Sequence, residues 1–330
     1  MMYAVTAVPS AGLERHLLSD AQPIPADALW IDLVEPTRAE DVKVEAFLGI
    51  AIPTREEMLD IEPSEIMYQE DGALYMTARL LCRSETDEPV LSGVTFILKA
   101  GRLVTVRYED PRAFAMFAQR ASRPGTCGVT AEGIMAGLVD TIIDRAADVL
   151  QITGERIDAH SRAIFAPSRG GKKAGRRHRT EYRATLEALG RFGDLISKQR
   201  ESLVSLERVL LFLTVAYRTI RVPPELRENV RTTLRDLQSL EEHATFQSSK
   251  IQFLLEATLG LVNLEQNNII KLFSVVSVVF MPPTLIASIY GMNFKLMPEL
   301  DWTLGYPMAL VMMVVAAVLP YLLFRWKGWL

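Results

Sequence analysis

The chain has 330 residues, 49% of them hydrophobic, a net charge of −4 and two cysteines. That length accommodates a globular domain with a full core and something more. Cys82 and Cys127 form no CxxC and have no His–Cys spacing, which argues against a disulfide framework or structural zinc and fits a reducing cytoplasm.

The net charge averages unlike regions. Residues 1–100 carry 18 acidic and 7 basic side chains, residues 169–183 carry 7 basic side chains against one Glu, and the last 60 residues carry few charges. The first twenty residues lack a basic segment followed by an apolar one, so the chain is expected to start in the cytoplasm without a signal peptide. Strand patterns cover Ala28–Pro36, Ala73–Cys82 and Val94–Val106, the last folding back at Lys99-Ala100-Gly101-Arg102 as a hairpin. Helical patterns fill the gaps at Arg38–Leu48 and Pro111–Arg120. Together they predict an α/β domain over residues 1–128.

From Thr130 apolar residues recur three and four apart (Ile134, Leu138, Ile142, Ala146, Val149), predicting a helix to Ile164. Pro167–Arg179 reads as a basic, Gly-rich loop, and a second helix is expected from about Glu181 to Thr219. These make a helical hairpin over 129–222. The double proline at Pro223-Pro224 opens a last helix, since proline suits a first turn. No further proline occurs before Pro282, so residues 223–271 read as a stalk running into an apolar segment at 272–290. Such a helix, about 100 Å long at 1.5 Å per residue, needs neighbours to bury its stripe.

The apolar runs Leu272–Tyr290 and Tyr306–Phe324 hold no charge, and each is long enough to cross a bilayer. Lys271 precedes the first; Arg325 and Lys327, in the tail 325–330, follow the second. The positive-inside rule then places both termini in the cytoplasm and the loop 291–305 outside. Along the first run Asn267, Ile270, Ser274, Ser277, Met281, Thr284 and Ser288 follow one another at steps of three and four. A polar stripe on a spanning helix serves tight packing or a water-filled path. If it lines a path, several copies must close a ring.

The stretch Tyr290-Gly291-Met292-Asn293-Phe294, followed by Met297-Pro298-Glu299-Leu300, Trp302 and Gly305-Tyr306-Pro307, resembles the signature of the CorA family of magnesium channels. Glu265–Thr284 resembles that family's pore helix, the tail RWKGWL also matches, and WIDL…P at Trp30–Pro36 adds weaker support. The basic loop at 167–179 departs from the pattern as an insertion. The resemblance implies a homopentameric channel in the inner membrane, with an α/β cytoplasmic domain and a long stalk helix continuing into a two-helix transmembrane region. It implies transport of Mg²⁺, Co²⁺ and Ni²⁺, with Mg²⁺ as substrate and regulatory ligand and no covalent cofactor, enzyme activity or nucleic-acid partner.

Mg²⁺ releases its waters reluctantly, so a ring of Asn293 amide oxygens would take up the hydrated ion, beside Gly291 and Met292. Thr284, Ser277 and Asn267 would offer further oxygens, and Ile270 and Met281 dry constrictions. Phe273 borders the stripe as a gate or as packing. Glu299 and Asp301 would draw cations to the mouth or serve as ordinary loop charges. Glu256 falls where the family places a regulatory acid, and Glu85, Asp87 or Glu88 would partner it, unless those three are an exposed acidic turn. The four histidines, His16, His160, His178 and His243, show no ligand spacing. Two other readings remain, a zinc transporter of the ZntB type and a membrane-anchored sensor domain.

Overall fold

The structure is a computed structural model that describes residues 1–8, 12–19, 21–60, 62–125, 128–166, 174–220, 222–292 and 302–327. Among these, seven strands form one sheet in the order β2-β1-β3-β7-β6-β5-β4. They are β1 (Met2–Val8), β2 (Gly12–Leu18), β3 (Trp30–Val34), β4 (Met67–Glu70), β5 (Ala73–Cys82), β6 (Val90–Lys99) and β7 (Arg102–Arg107). β3 and β7 pair in parallel, and the other described pairs are antiparallel.

Side chains alternate across a strand, so one strand supplies both faces of the sheet. Ile31, Leu33, Val104 and Val106 enter one core with Val44 of α1 (Arg38–Leu48). Trp30, Leu103 and Phe96 enter the other with Phe114 and Phe117 of α3 (Arg112–Ala121). The latter face also holds a buried polar chain. Trp30 Nε1 donates to Thr105 Oγ1 at 2.9 Å, and Thr105 donates to Asp32 Oδ1 at 2.8 Å. Arg107 closes on both Asp32 oxygens at 3.1 and 2.9 Å, and Arg15 reaches Oδ2 at 2.8 Å.

The expected hairpin forms between β6 and β7. Ala100 and Gly101 have φ of 49° and 70°, the paired positive values of the turn that matches strand twist. α1 starts on a capping box, Thr37 with Glu40, and ends on Gly49 at φ 60°. The sequence pattern missed β1, β2 and β4. β2 is an edge strand whose Glu14, Arg15 and His16 face solvent, so no apolar alternation marks it. A single 3-10 turn at Glu57–Leu59 and the short α2 (Pro63–Ile66) precede β4.

The remaining helices are α4 (Ala131–Phe165), α5 (Ala174–Thr219), α6 (Pro224–Tyr290) and α7 (Gly305–Trp326). All five apolar positions expected to line α4 are buried. α5 begins at Ala174, so part of the stretch expected as loop is helical; arginine favours helix, and Gly175 alone does not stop it. The rest of that stretch, 167–173, lies outside the described residues.

The chain forms two compact units, Met1–Lys172 with Arg183–Leu255, and Lys173–Tyr182 with Glu256–Leu330. In the first, Ser205 of α5 accepts from the Arg79 amide at 2.9 Å and donates to its carbonyl at 3.0 Å, fixing α5 to β5. Gln247 of α6 donates to the Leu150 carbonyl of α4 at 2.8 Å. Gly154 makes room for it, because a Cβ there would lie 2.7 Å from Gln247 Nε2.

Candidate functional site

Helices α6 and α7 each contain a window long and apolar enough to cross a membrane, and only 6% of each window is buried within the chain. A core helix of a soluble protein would be covered. The side of α6 that is covered in this segment carries Val275, buried, and Val279, Pro282, Pro283 and Ile286, half-buried. On α7 the buried residues are Gly305 and Ala309, small enough for close approach. Among the described elements of this unit, α7 is the one long enough to cover that side.

The polar stripe lies elsewhere. At about 100° per residue, Ser274, Ser277, Met281, Thr284 and Ser288 centre on roughly the opposite side of α6 from Val275 and Ile286. All five are exposed, as are Asn267, Ile270 and Phe273, with Phe273 and Met281 at 67% and 69%. The chain therefore brings the stripe residues together on one face that is uncovered within the chain.

Two hydroxyls are turned inward to their own helix. Ser274 Oγ donates to the Ile270 carbonyl at 2.9 Å, and Thr284 Oγ1 donates to Phe280 at 2.8 Å. Each oxygen then presents only lone pairs outward. Pro282 and Pro283, which lack amide protons, sit inside α6 without ending it, on its covered side.

Gly291 closes the helix, its amide donating to Ala287 at 2.9 Å. A Cβ there would come within 3.1 Å of the Ala287 carbonyl, so the glycine provides space rather than a positive φ. Met292, 46% exposed, follows it. Asn293, Glu299 and Asp301 lie outside the described residues.

The candidate regulatory acids are differently placed. Glu256 is exposed on α6, and Asp87 and Glu88 are exposed between β5 and β6. Glu85 accepts from Arg145 at 2.8 Å and from Arg112, so two guanidiniums already neutralise it. Those arginines stand 60 and 27 residues away in sequence, and no local pattern announced them. Among the described residues no group of three or more His, Cys, Asp or Glu could hold a metal within one chain. Cys82 is buried, which pushes its thiol up to about 12, so it remains protonated and inert.

The description "CorA-like Mg2+ transporter protein" belongs to a family whose model matches residues 25–326. The chain belongs to the CorA family. Magnesium transport protein CorA of Escherichia coli strain K12 is 38% identical over 318 residues, covering 96% of each chain. The protein of the same name from Yersinia pseudotuberculosis is 38% identical over 305 residues, 92% of this chain and 93% of its own. The fold is similar to that of the complete CorA magnesium transporter of Methanocaldococcus jannaschii, with a TM-score of 0.75, 20% identity and 100% and 99% coverage. CorA proteins are transporters, not enzymes. The sheet domain, long helix and pair of apolar helices are the CorA architecture.

Proposed function

We propose that this CorA protein is a Mg²⁺ importer that also passes Co²⁺ and Ni²⁺ and assembles as a homopentamer around the hydroxyl stripe of α6. One observation carries the reading. The stripe occupies a face of α6 that is uncovered within the chain, away from buried Val275. A helix that merely anchors a sensor domain has no need to align hydroxyls there. The names of the CorA relatives, magnesium transport proteins, favour the ion.

Hydrated Mg²⁺ presents water protons, so its path needs acceptors. Ser274 and Thr284 spend their own protons on Ile270 and Phe280 and offer lone pairs. Ser277, Ser288 and Asn267 add further oxygens along the same face. At the mouth Asn293 supplies a ring of amide oxygens, with Gly291 and Met292 turning the chain into it, while Glu299 and Asp301 raise the local cation concentration. Ile270, Phe273 and Met281 form apolar constrictions that close by dewetting.

Entry needs no nucleotide. A divalent ion gains about 4.6 kcal/mol per 100 mV on entering a negative interior, over a thousandfold in equilibrium ratio. Both termini are assigned to the cytoplasm of an inner-membrane protein, because Lys271, Arg325 and Lys327 flank the spans on one side. The α/β domain (1–128), helical hairpin (129–222) and stalk (223–271) then lie inside. On the stalk, Phe246 and Phe253 stand one heptad apart and 63% and 59% exposed, apolar surface that neighbouring copies would cover. Cytosolic Mg²⁺ closes the channel by bridging Glu256 to Asp87 or Glu88 between copies; Glu85 joins only if Arg112 and Arg145 release it.

The test is flux of Mg²⁺, Co²⁺, Ni²⁺ and Zn²⁺ into liposomes holding the purified protein, with and without an imposed voltage. Voltage-driven Mg²⁺ entry without nucleotide is the expected result. Flux of zinc alone, dependent on a pH gradient, would overturn it.

A further inference from the structure

We infer that a cavity in the unit that contains the sheet binds a small organic carboxylate carrying a second polar group. The inference goes beyond cation transport and does not rest on the ring or the membrane placement proposed above. The cavity has a volume of about 230 Å³ and lies where the end of β5, the turn after it, the start of α3, α4 and α5 converge. All the residues that line it belong to the first compact unit. Pockets for drug-sized ligands begin at roughly 300 Å³, so this one suits a molecule of a few carbons. The α5 wall points to a ligand. Gln199 and Ser202 line the cavity and are 2% and 3% exposed. Among the described residues, neither side chain has a hydrogen-bond partner. Buried amides and hydroxyls are ordinarily paired, so two unpaired ones lining one cavity mark a place that something polar fills.

The charges at the cavity give the sign. Arg145 of α4 has its Nε buried without a partner, while its Nη2 donates to Glu85 at 2.8 Å and to Ser84 Oγ at 3.3 Å. Arg112 of α3 donates to the same Glu85 oxygen, so one carboxylate oxygen serves two guanidiniums. The other charges lining the cavity are matched from outside it. Arg83 donates to both oxygens of Glu109 at 2.9 Å, and Arg107 holds Asp110. Arg112 and Arg145 thus exceed the carboxylate they share by one charge. Glu85 stands where the carboxylate of a ligand would stand, and its side chain is 62% exposed, so exchanging it for solvent costs little. A ligand carboxylate taking its place would accept from Arg145 Nε and Nη2 together, a bidentate pairing that Glu85 does not make. Leu80, Ile142, Ala146 and Val149 offer an apolar wall to the carbon skeleton. Gln199 and Ser202 would then pair with a hydroxyl or carbonyl a few carbons away. Inorganic phosphate would use the arginines but not the apolar wall.

The experiment uses the full-length protein in neutral detergent without added divalent ions, read by saturation-transfer NMR. The probes are lactate, malate and 3-hydroxybutyrate, each compared with its neutral amide and with inorganic phosphate. The expected result is saturable binding of at least one acid, with its amide weaker by about ten-fold or more, the worth of a hydrogen bond to a charged group. Gln199→Leu, which keeps the volume, should weaken that acid about ten-fold. Glu85→Gln removes the competing carboxylate and should strengthen it roughly five-fold, the upper worth of an exposed ion pair. Because Glu85 is exposed, that variant keeps the test open should Leu at position 199 disturb α5. Binding of no acid with a Kd below about 10 mM overturns the inference, leaving the cavity to water alone. Equal binding of the amides, or full displacement of the acid by equimolar phosphate, overturns the assigned ligand class. Affinity unchanged in Gln199→Leu and Glu85→Gln alike places the bound acid elsewhere and overturns it too.

Discussion

Replacing Asp32 with Ala tests the buried polar chain under the sheet. Asp32 is fully buried and accepts from Arg107 twice, from Arg15 and from Thr105. Arg107 is 3% exposed, so removing the carboxylate strands a guanidinium that water cannot reach. Breaking such a pair from one side costs about 3–5 kcal/mol. Arg107 keeps its contact to exposed Asp110, and Arg15, less buried, can turn to solvent. The lower end is therefore expected, about 3 kcal/mol, or a fall of about 6–12 °C in Tm at the usual 2–4 °C per kcal/mol for this size. Asp32→Asn should cost nearly as much, because its amide protons would face those of Arg107 and Arg15. Thermal unfolding followed by tryptophan fluorescence reads this directly, since Trp30 belongs to the same chain of hydrogen bonds. A loss below 1 kcal/mol, or an Asn variant as stable as the natural chain, would refute the reasoning.

Thr284→Val keeps shape while removing the outward oxygen, and should lower Mg²⁺ flux roughly ten-fold or more, the worth of a hydrogen bond to a charged group. Unchanged flux in liposomes would take Thr284 out of the path. Asn293→Ala should nearly abolish uptake while the oligomer still elutes intact on size exclusion; near-normal uptake would remove Asn293 from the filter. Glu256→Ala should weaken inhibition by internal Mg²⁺ and Mg²⁺-dependent protection of α6 from protease, without changing ion selectivity. If protection and inhibition both persist, the sensor lies in other acids.

The elements that sequence made legible are those whose signal is local. α1 carries its own capping box and Gly49 stop, the hairpin its Ala100-Gly101 turn, and α4 its apolar period. β5 was legible from end to end, because its residues are apolar but for Thr77 and Arg79. β2 and β4 are edge strands with exposed charged residues, and their pairing with β1 and β5 is a tertiary fact. The Asp32–Arg107 pair joins residues 75 apart, on strands whose neighbourhood no local pattern specifies. Glu85 is similar. Its acidic turn is visible in sequence, but the arginines that occupy it come from α3 and α4.

The stripe on α6 shows where the two kinds of information meet. Spacing alone places Ser274, Ser277, Thr284 and Ser288 on one face, and by itself favours packing over conduction as its use. What separates them is rotation. If α7 had covered the serines, they would be contact residues of a helix pair, of the small-residue kind. Instead the covered side of α6 holds Val275 and Ile286, and the hydroxyls are exposed on the far side with Asn267. For a lone chain that face would meet hydrocarbon. Back-bonding relieves Ser274 and Thr284 of their protons, but the lone pairs of their oxygens still lack partners in hydrocarbon. In the proposed ring, other copies of α6 turned so that the same faces meet around water would supply them. The arrangement that would satisfy the polar groups is thus the one that would open a path lined by oxygen, and in the proposed ring assembly and conduction would be two consequences of a single face.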